Sequence, residues 1–102
     1  MTTELAGAVD LDPPLTPSEI AHVRRLAAHA AGVMMSWTPA RDGRSLRPRS
    51  GADVDDCIDS MRYLLDTMAR PGRFRGMVAA FDTDTRELVA LTVSRGRVTR
   101  RI

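Results

Sequence analysis

The sequence contains no lysine and a single cysteine, Cys57. One cysteine excludes an internal disulfide, so nothing argues for an oxidising compartment and the cytoplasm is the expected setting. The absence of lysine excludes a phosphate loop of the GxxxxGK[ST] type, and Gly72, Gly76 and Gly96 compose no other. Aromatic residues are few: Trp37, Tyr63, Phe74 and Phe81. A core must therefore be assembled from Leu, Val, Met and Ala. No apolar run approaches the ~20 residues that cross a bilayer, and no charged-then-apolar leader is present, so no membrane partner is expected.

What remains is a chain of 102 residues, enough for one domain with a modest core. All fifteen basic residues are arginine, as a GC-rich codon bias would produce, and the net charge is only +2. The charge is nevertheless striped. Residues 1–40 carry −2, residues 41–51 carry +3, residues 52–70 carry −3 and residues 71–102 carry +4.

Residues 52–70 form the clearest element. Val54, Ile58, Met61, Leu65 and Met68 recur at helical spacing, and Cys57 and Leu64 widen the stripe. Asp55, Asp59, Arg62 and Asp66 fall on the opposite side, at spacings that allow helical ion pairs. Ser50 with Asp53 resembles a capping box, and Pro71-Gly72 stops the helix. An earlier helix is predicted from Thr16-Pro17-Ser18-Glu19: Thr16 caps, Pro17 takes the first helical position and Glu19 closes the box. It is expected to run to about Ala31 and to bury Ile20, Val23, Leu26, Ala27 and Ala30, with Gly32 as its stop.

Residues 32–37 are short and apolar and precede Thr38-Pro39, which favours a strand. Residues 41–51 read as a loop, given Asp42-Gly43, Ser50-Gly51 and Pro48. Residues 74–81 and 87–94 alternate as strands, and Arg95-Gly96 suits a two-residue hairpin turn into a third strand over 98–102. Residues 1–14 are small and polar and are expected to be a flexible arm, leaving a single domain over 15–102. The predicted class is α+β, with two helices packed on one face of a small antiparallel sheet of three to four strands in the order α-β-α-β-β-β.

The residues that carry chemistry have structural explanations. Cys57 lies inside an apolar stripe with no cation one turn away, which describes a core thiol. His22 and His29 are seven apart, whereas helical metal pairs sit three or four apart. Asp53, Asp55, Asp56 and Asp59 crowd a helix start, where capping and the dipole account for them. Asp82 and Asp84 resemble the opening of a calcium loop whose later ligands and glycine are missing. Ser36 has neither a nucleophile elbow nor a nearby histidine. No catalytic residue, metal ligand or cofactor site is assigned.

The arginines are the feature with most pull. Arg41, Arg44, Arg47 and Arg49 share one loop, while Arg73, Arg75, Arg95, Arg97, Arg100 and Arg101 belong to the sheet. An antiparallel meander would bring the Arg73–Arg75 end towards the Arg95–Arg97 turn, making an anion or nucleic-acid contact surface. Few aromatics are available to stack bases.

Three local likenesses are present. Leu15-Thr16-Pro17-Ser18-Glu19 with Val23 and Leu26 resembles the opening helix of LuxR-type helix-turn-helix domains, but no recognition helix follows. Residues 60–76, with Asp82 and Glu87-Leu88-Val89, are similar to the helix–strand–turn–strand stretch of antibiotic-biosynthesis-monooxygenase-like ferredoxin-fold proteins, over about a third of the chain. Trp37-Thr38-Pro39-Ala40-Arg41-Asp42 and Arg70-Pro71-Gly72-Arg73 resemble fragments of ParE/RelE-type toxins, whose two intervening helices have no room here. None transfers a residue role.

Both faces of residues 74–81 look apolar enough to bury, and a small open sheet has bare edges. The expected function is therefore that of a small accessory or regulatory protein acting by protein–protein association, with a second copy or another protein as partner. The alternatives are an arginine-rich nucleic-acid binder and a small ferredoxin-fold-like ligand-binding protein or enzyme. The last needs an apolar pocket between the second helix and the sheet.

Overall fold

The structure, a computed structural model, describes residues 3–28, 35–68, 73–82 and 85–101. Its elements run β1 (Thr3–Leu11), α1 (Pro17–Ala28), β2 (Trp37–Pro39), β3 (Ser45–Pro48), α2 (Val54–Met68), β4 (Phe74–Asp82), β5 (Leu88–Ser94) and β6 (Arg97–Arg101). The strands form one antiparallel sheet in the order β2-β3-β1-β4-β5-β6, with the helices packed against it. The α+β class is as the sequence predicts, but the sheet has six strands.

Both extra strands correct the sequence reading. Within the segment 1–14, expected as a loose arm, Thr3–Leu11 is a central strand, paired with β4 over its whole length and with β3 through Val9 and Asp10. Its apolar side alternates through Leu5, Val9 and Leu11, the last two buried. Gly7 interrupts that alternation at φ 123°, and a Cβ there would come within 2.5 Å of the Met77 carbonyl oxygen. The loop over 41–51 likewise contains β3. Its one large apolar residue, Leu46, is fully buried and pairs with Val9 on one side and Pro39 on the other. Pro48 ends the strand beyond its last rung with β1, where a missing donor costs nothing on that side.

Helix α1 begins as expected. Thr16 N–H donates to Glu19 Oε1 (2.9 Å) and Glu19 N–H donates to Thr16 Oγ1 (3.2 Å), a complete capping box. The expected stop at Gly32 lies outside the described residues, as do His29, Pro71 and Gly72. Helix α2 starts two residues later than predicted, and its cap is Asp53, whose Oδ1 accepts from Asp55 N–H (3.0 Å), in place of Ser50. Its stripe of Cys57, Ile58, Met61, Leu64 and Leu65 is buried against Phe74, Val78, Leu91 and Val93. Trp37, also buried, locks β2 to this helix by donating Nε1–H to the Cys57 carbonyl (2.9 Å). Ser60, buried beneath Ser36, donates to the Asp56 carbonyl (2.7 Å) and accepts from Ser36 N–H (3.3 Å), so the polar groups here are satisfied. Among the described residues no helix is long and apolar enough to cross a membrane.

Candidate interaction surface

Every sheet residue in the core lies on the helix side: Val9, Leu11, Trp37, Leu46, Phe74, Val78, Ala80, Val89, Leu91 and Val93. Strand alternation then sends the intervening side chains to the opposite face, which no described element covers. Across its middle, Ala6 stands in register with Ala79 and Ala79 with Ala90. Ala8 pairs with Met77 and Met77 with Thr92, while Phe81 pairs with Leu88. Met77 and Leu88 are each 60% exposed and Phe81 is 37% exposed. Three large apolar side chains with four alanines between them therefore face solvent on adjacent strands, the kind of patch that marks an interaction site.

Sequence reasoning anticipated the two-sided apolar character of β4 but missed Leu88 and the alanines of β1. The alternation of β5 gave a signal for Leu88. Nothing local marked Ala6 and Ala8 as part of a sheet.

Charge rings this centre. Arg47 flanks it on β3, Arg75 sits above it on β4, and Arg97 and Arg101 lie on edge strand β6. Asp10 stands directly beside Arg75 in register, and Glu4 beside Phe81. The Arg95-Gly96 turn forms as predicted, both residues at positive φ (53° and 75°). Arg75, Arg95 and Arg97 surround a shallow hollow of about 650 Å³ floored by Thr92, Ser94 and Thr99. None of the three makes an ion pair among the described residues.

The remaining candidate arginines separate. Arg41 and Arg44 sit in the β2–β3 connection and Arg49 follows β3, all exposed and outside that hollow. Arg100 points to the helix side and pairs with Asp55 (2.9 Å) at an exposed site.

Arg73 is the clear correction. It is 7% exposed, and it donates Nε–H to the Pro13 carbonyl (3.0 Å). Nη1 donates to Glu19 Oε2 (2.9 Å) and the Met68 carbonyl (3.2 Å), and Nη2 to the Pro14 carbonyl (2.9 Å) and Glu19 Oε1 (2.7 Å). All its donors are spent on the fold, so it offers nothing to an external anion. The Arg73 hydrogen bonds, supported by the Thr16 N–H and hydroxyl and opposed by partial burial, hold the Glu19 carboxyl at about 2 in place of the ordinary 4.5. Glu19 in turn raises Arg73 further above its ordinary value.

Burial pushes the Cys57 thiol up to about 11, with Asp53 and Asp56 adding to it and a hydrogen bond with Ser36 opposing. Among the described residues no three His, Cys, Asp or Glu side chains gather as a metal site. The hollow between the start of α2 and the sheet, about 400 Å³, is lined by Asp53, Asp55, Asp82 and Glu87 beside Ala80, Val89 and Arg100. Ala52 and Val54 complete a lining of mixed polar and apolar character. Comparison with known protein families, curated proteins and solved structures returns no match.

Proposed function

We propose that this chain is a small accessory or regulatory protein of the cytoplasm that works by protein–protein association, pairing its open sheet face with a second copy of itself. The observation that carries this reading is the uncovered face centred on Met77, Phe81 and Leu88. Its size supports the reading too. Six strands about 4.8 Å apart, three to nine residues long at about 3.3 Å each, make a face of roughly 600 Å². A standard interface uses about 800 Å² per partner.

The edges are poorer candidates. Strand β2 is three residues long and ends in Pro39, while β6 carries Arg97, Arg100 and Arg101, devices that discourage edge pairing. The unpaired, buried thiol of Cys57 is compatible with a reducing compartment.

Light scattering over a concentration series tests the reading. The wild-type chain is expected to form a dimer in the micromolar range. Leu88→Glu should be monomeric with an unchanged thermal melt, because Leu88 is too exposed to hold the monomer together. A wild-type chain that stays monomeric at high concentration would refute the proposal.

A second reading rests on the convergence of Arg75, Arg95 and Arg97 around hydroxyl groups. Such a hollow suits a phosphate group of a nucleic-acid backbone. Oligonucleotide retention at low salt that falls steeply with added salt, and disappears in an Arg95→Ala/Arg97→Ala chain, would favour it.

A further inference from the structure

We infer that the dimer axis runs parallel to the strands above the β1–β4 seam, so that Asp10 of each copy faces Arg75 of the other. This inference rests on the association reading above and adds the geometry of the contact.

A closed homodimer uses one patch twice, so the patch must complement itself under a two-fold rotation. The β1–β4 seam divides the sheet into two sets of three strands, and only an axis above it lets all six strands be covered. An axis along the strands keeps each residue's height and exchanges β1 with β4 of the second copy. Each rung of the seam then meets itself reversed. In the rung of Asp10 and Arg75, carboxylate meets guanidinium. In the rung of Ala8 and Met77, the long side chain meets the methyl group, the Ala6–Ala79 rung leaves room for both, and the last open-face rung sets Glu4 beside Phe81 of the second copy at the exposed end of the seam. Packed sheets lie about 10 Å apart with strand directions within about 30°, so these rungs near the axis stay aligned.

The outer strands agree. Strand β2, which carries no charge, falls over residues 98–100 of the second copy, with Arg97 and Arg101 beyond its two ends, and Arg47 falls over β5, whose open-face residues Ala90, Thr92 and Ser94 are uncharged. An axis across the strands would instead lay Asp10 on Glu4, carboxylate on carboxylate, and the Arg75 end of the face on Phe81 and Leu88. Asp10 and Arg75 are available for the contact: neither makes an ion pair or a side-chain hydrogen bond among the described residues.

Sedimentation analysis of charge-reversed chains tests this. Asp10→Arg places Arg against Arg in the dimer, and Arg75→Asp places Asp against Asp. The two-fold counts each contact twice, so each variant is expected to weaken dimerisation by roughly a hundredfold. An equimolar mixture of the two variants should recover a dimer of near wild-type affinity, since both contacts are then oppositely charged. That recovery also requires both variants to be folded. The doubly reversed chain, Asp10→Arg with Arg75→Asp, should self-associate like wild type and provides the same test should a single reversal fold poorly.

A wild-type dimer whose reversed variants do not recover on mixing would overturn the axis and leave association standing. Recovery with Arg97→Asp in place of Arg75→Asp would also overturn it, by moving the seam to β4–β5. A monomeric wild type would remove both proposals together.

Discussion

Replacing Glu19 by Gln is expected to cost this protein about 2 kcal/mol at neutral pH and nothing near pH 2. Glu19 stands in the first turn of α1 and grips Arg73, at the entry to β4, through both carboxylate oxygens. Its carboxyl titrates at about 2 folded, against the ordinary 4.5. At ~1.4 kcal/mol per decade of affinity, that difference corresponds to about 3.4 kcal/mol. The side chain is 25% exposed, so solvent screening reduces the figure to about 2 kcal/mol.

The sign follows from linkage. A carboxyl depressed by folding contributes fully above its unfolded value and loses that contribution as pH falls towards its folded value. Wild type and Glu19→Gln should therefore differ most above pH 4.5 and converge as the pH approaches about 2. For a domain of this size, about 2 kcal/mol corresponds to a difference in Tm of roughly 8–16 °C at pH 7. Urea unfolding of both chains at several pH values across that window measures the gap directly. A gap that stays constant down to pH 2.5, or one that is absent at pH 7, would refute the reasoning.

Two further outcomes follow from Cys57 and Gly7. Cys57, with its thiol near 11 and no exposure, should resist a thiol reagent at pH 8 until the chain is unfolded in denaturant; rapid labelling of the native protein would contradict its placement. Gly7→Ala should lower stability by about 2 kcal/mol or more, read in a urea titration, because the new methyl group meets the Met77 carbonyl at a strained φ.

The helices were legible because their signals are local. The capping box of Thr16 and Glu19 and the stripe from Val54 to Met68 each lie within one element. The hairpin at Arg95-Gly96 was legible for the same reason. Strand β1 was not, because what makes it a strand is pairing with β3 and β4, dozens of residues away, while its own sequence is mostly small. Strand β3 shows the limit from the other side: four residues with a single large apolar one carry no period to read. The uncovered face was half visible. Apolar residues on both sides of β4 announced it, but its extent depends on Ala6 and Ala8, which only the register of β1 brings there.

Arg73 could not have been separated from its neighbours by composition. It follows Gly72 and lies two residues from Arg75, yet one is buried and the other exposed. The difference lies in the carbonyls of Pro13, Pro14 and Met68, gathered from two places in the chain around one planar group. Lysine, a single ammonium without that rigid fork, has no geometry that meets three carbonyls and both oxygens of Glu19. The absence of lysine is a matter of composition at the exposed sites. At position 73 it is a requirement of the fold, because the connection from β1 into α1 and the start of β4 are held together there by the guanidinium.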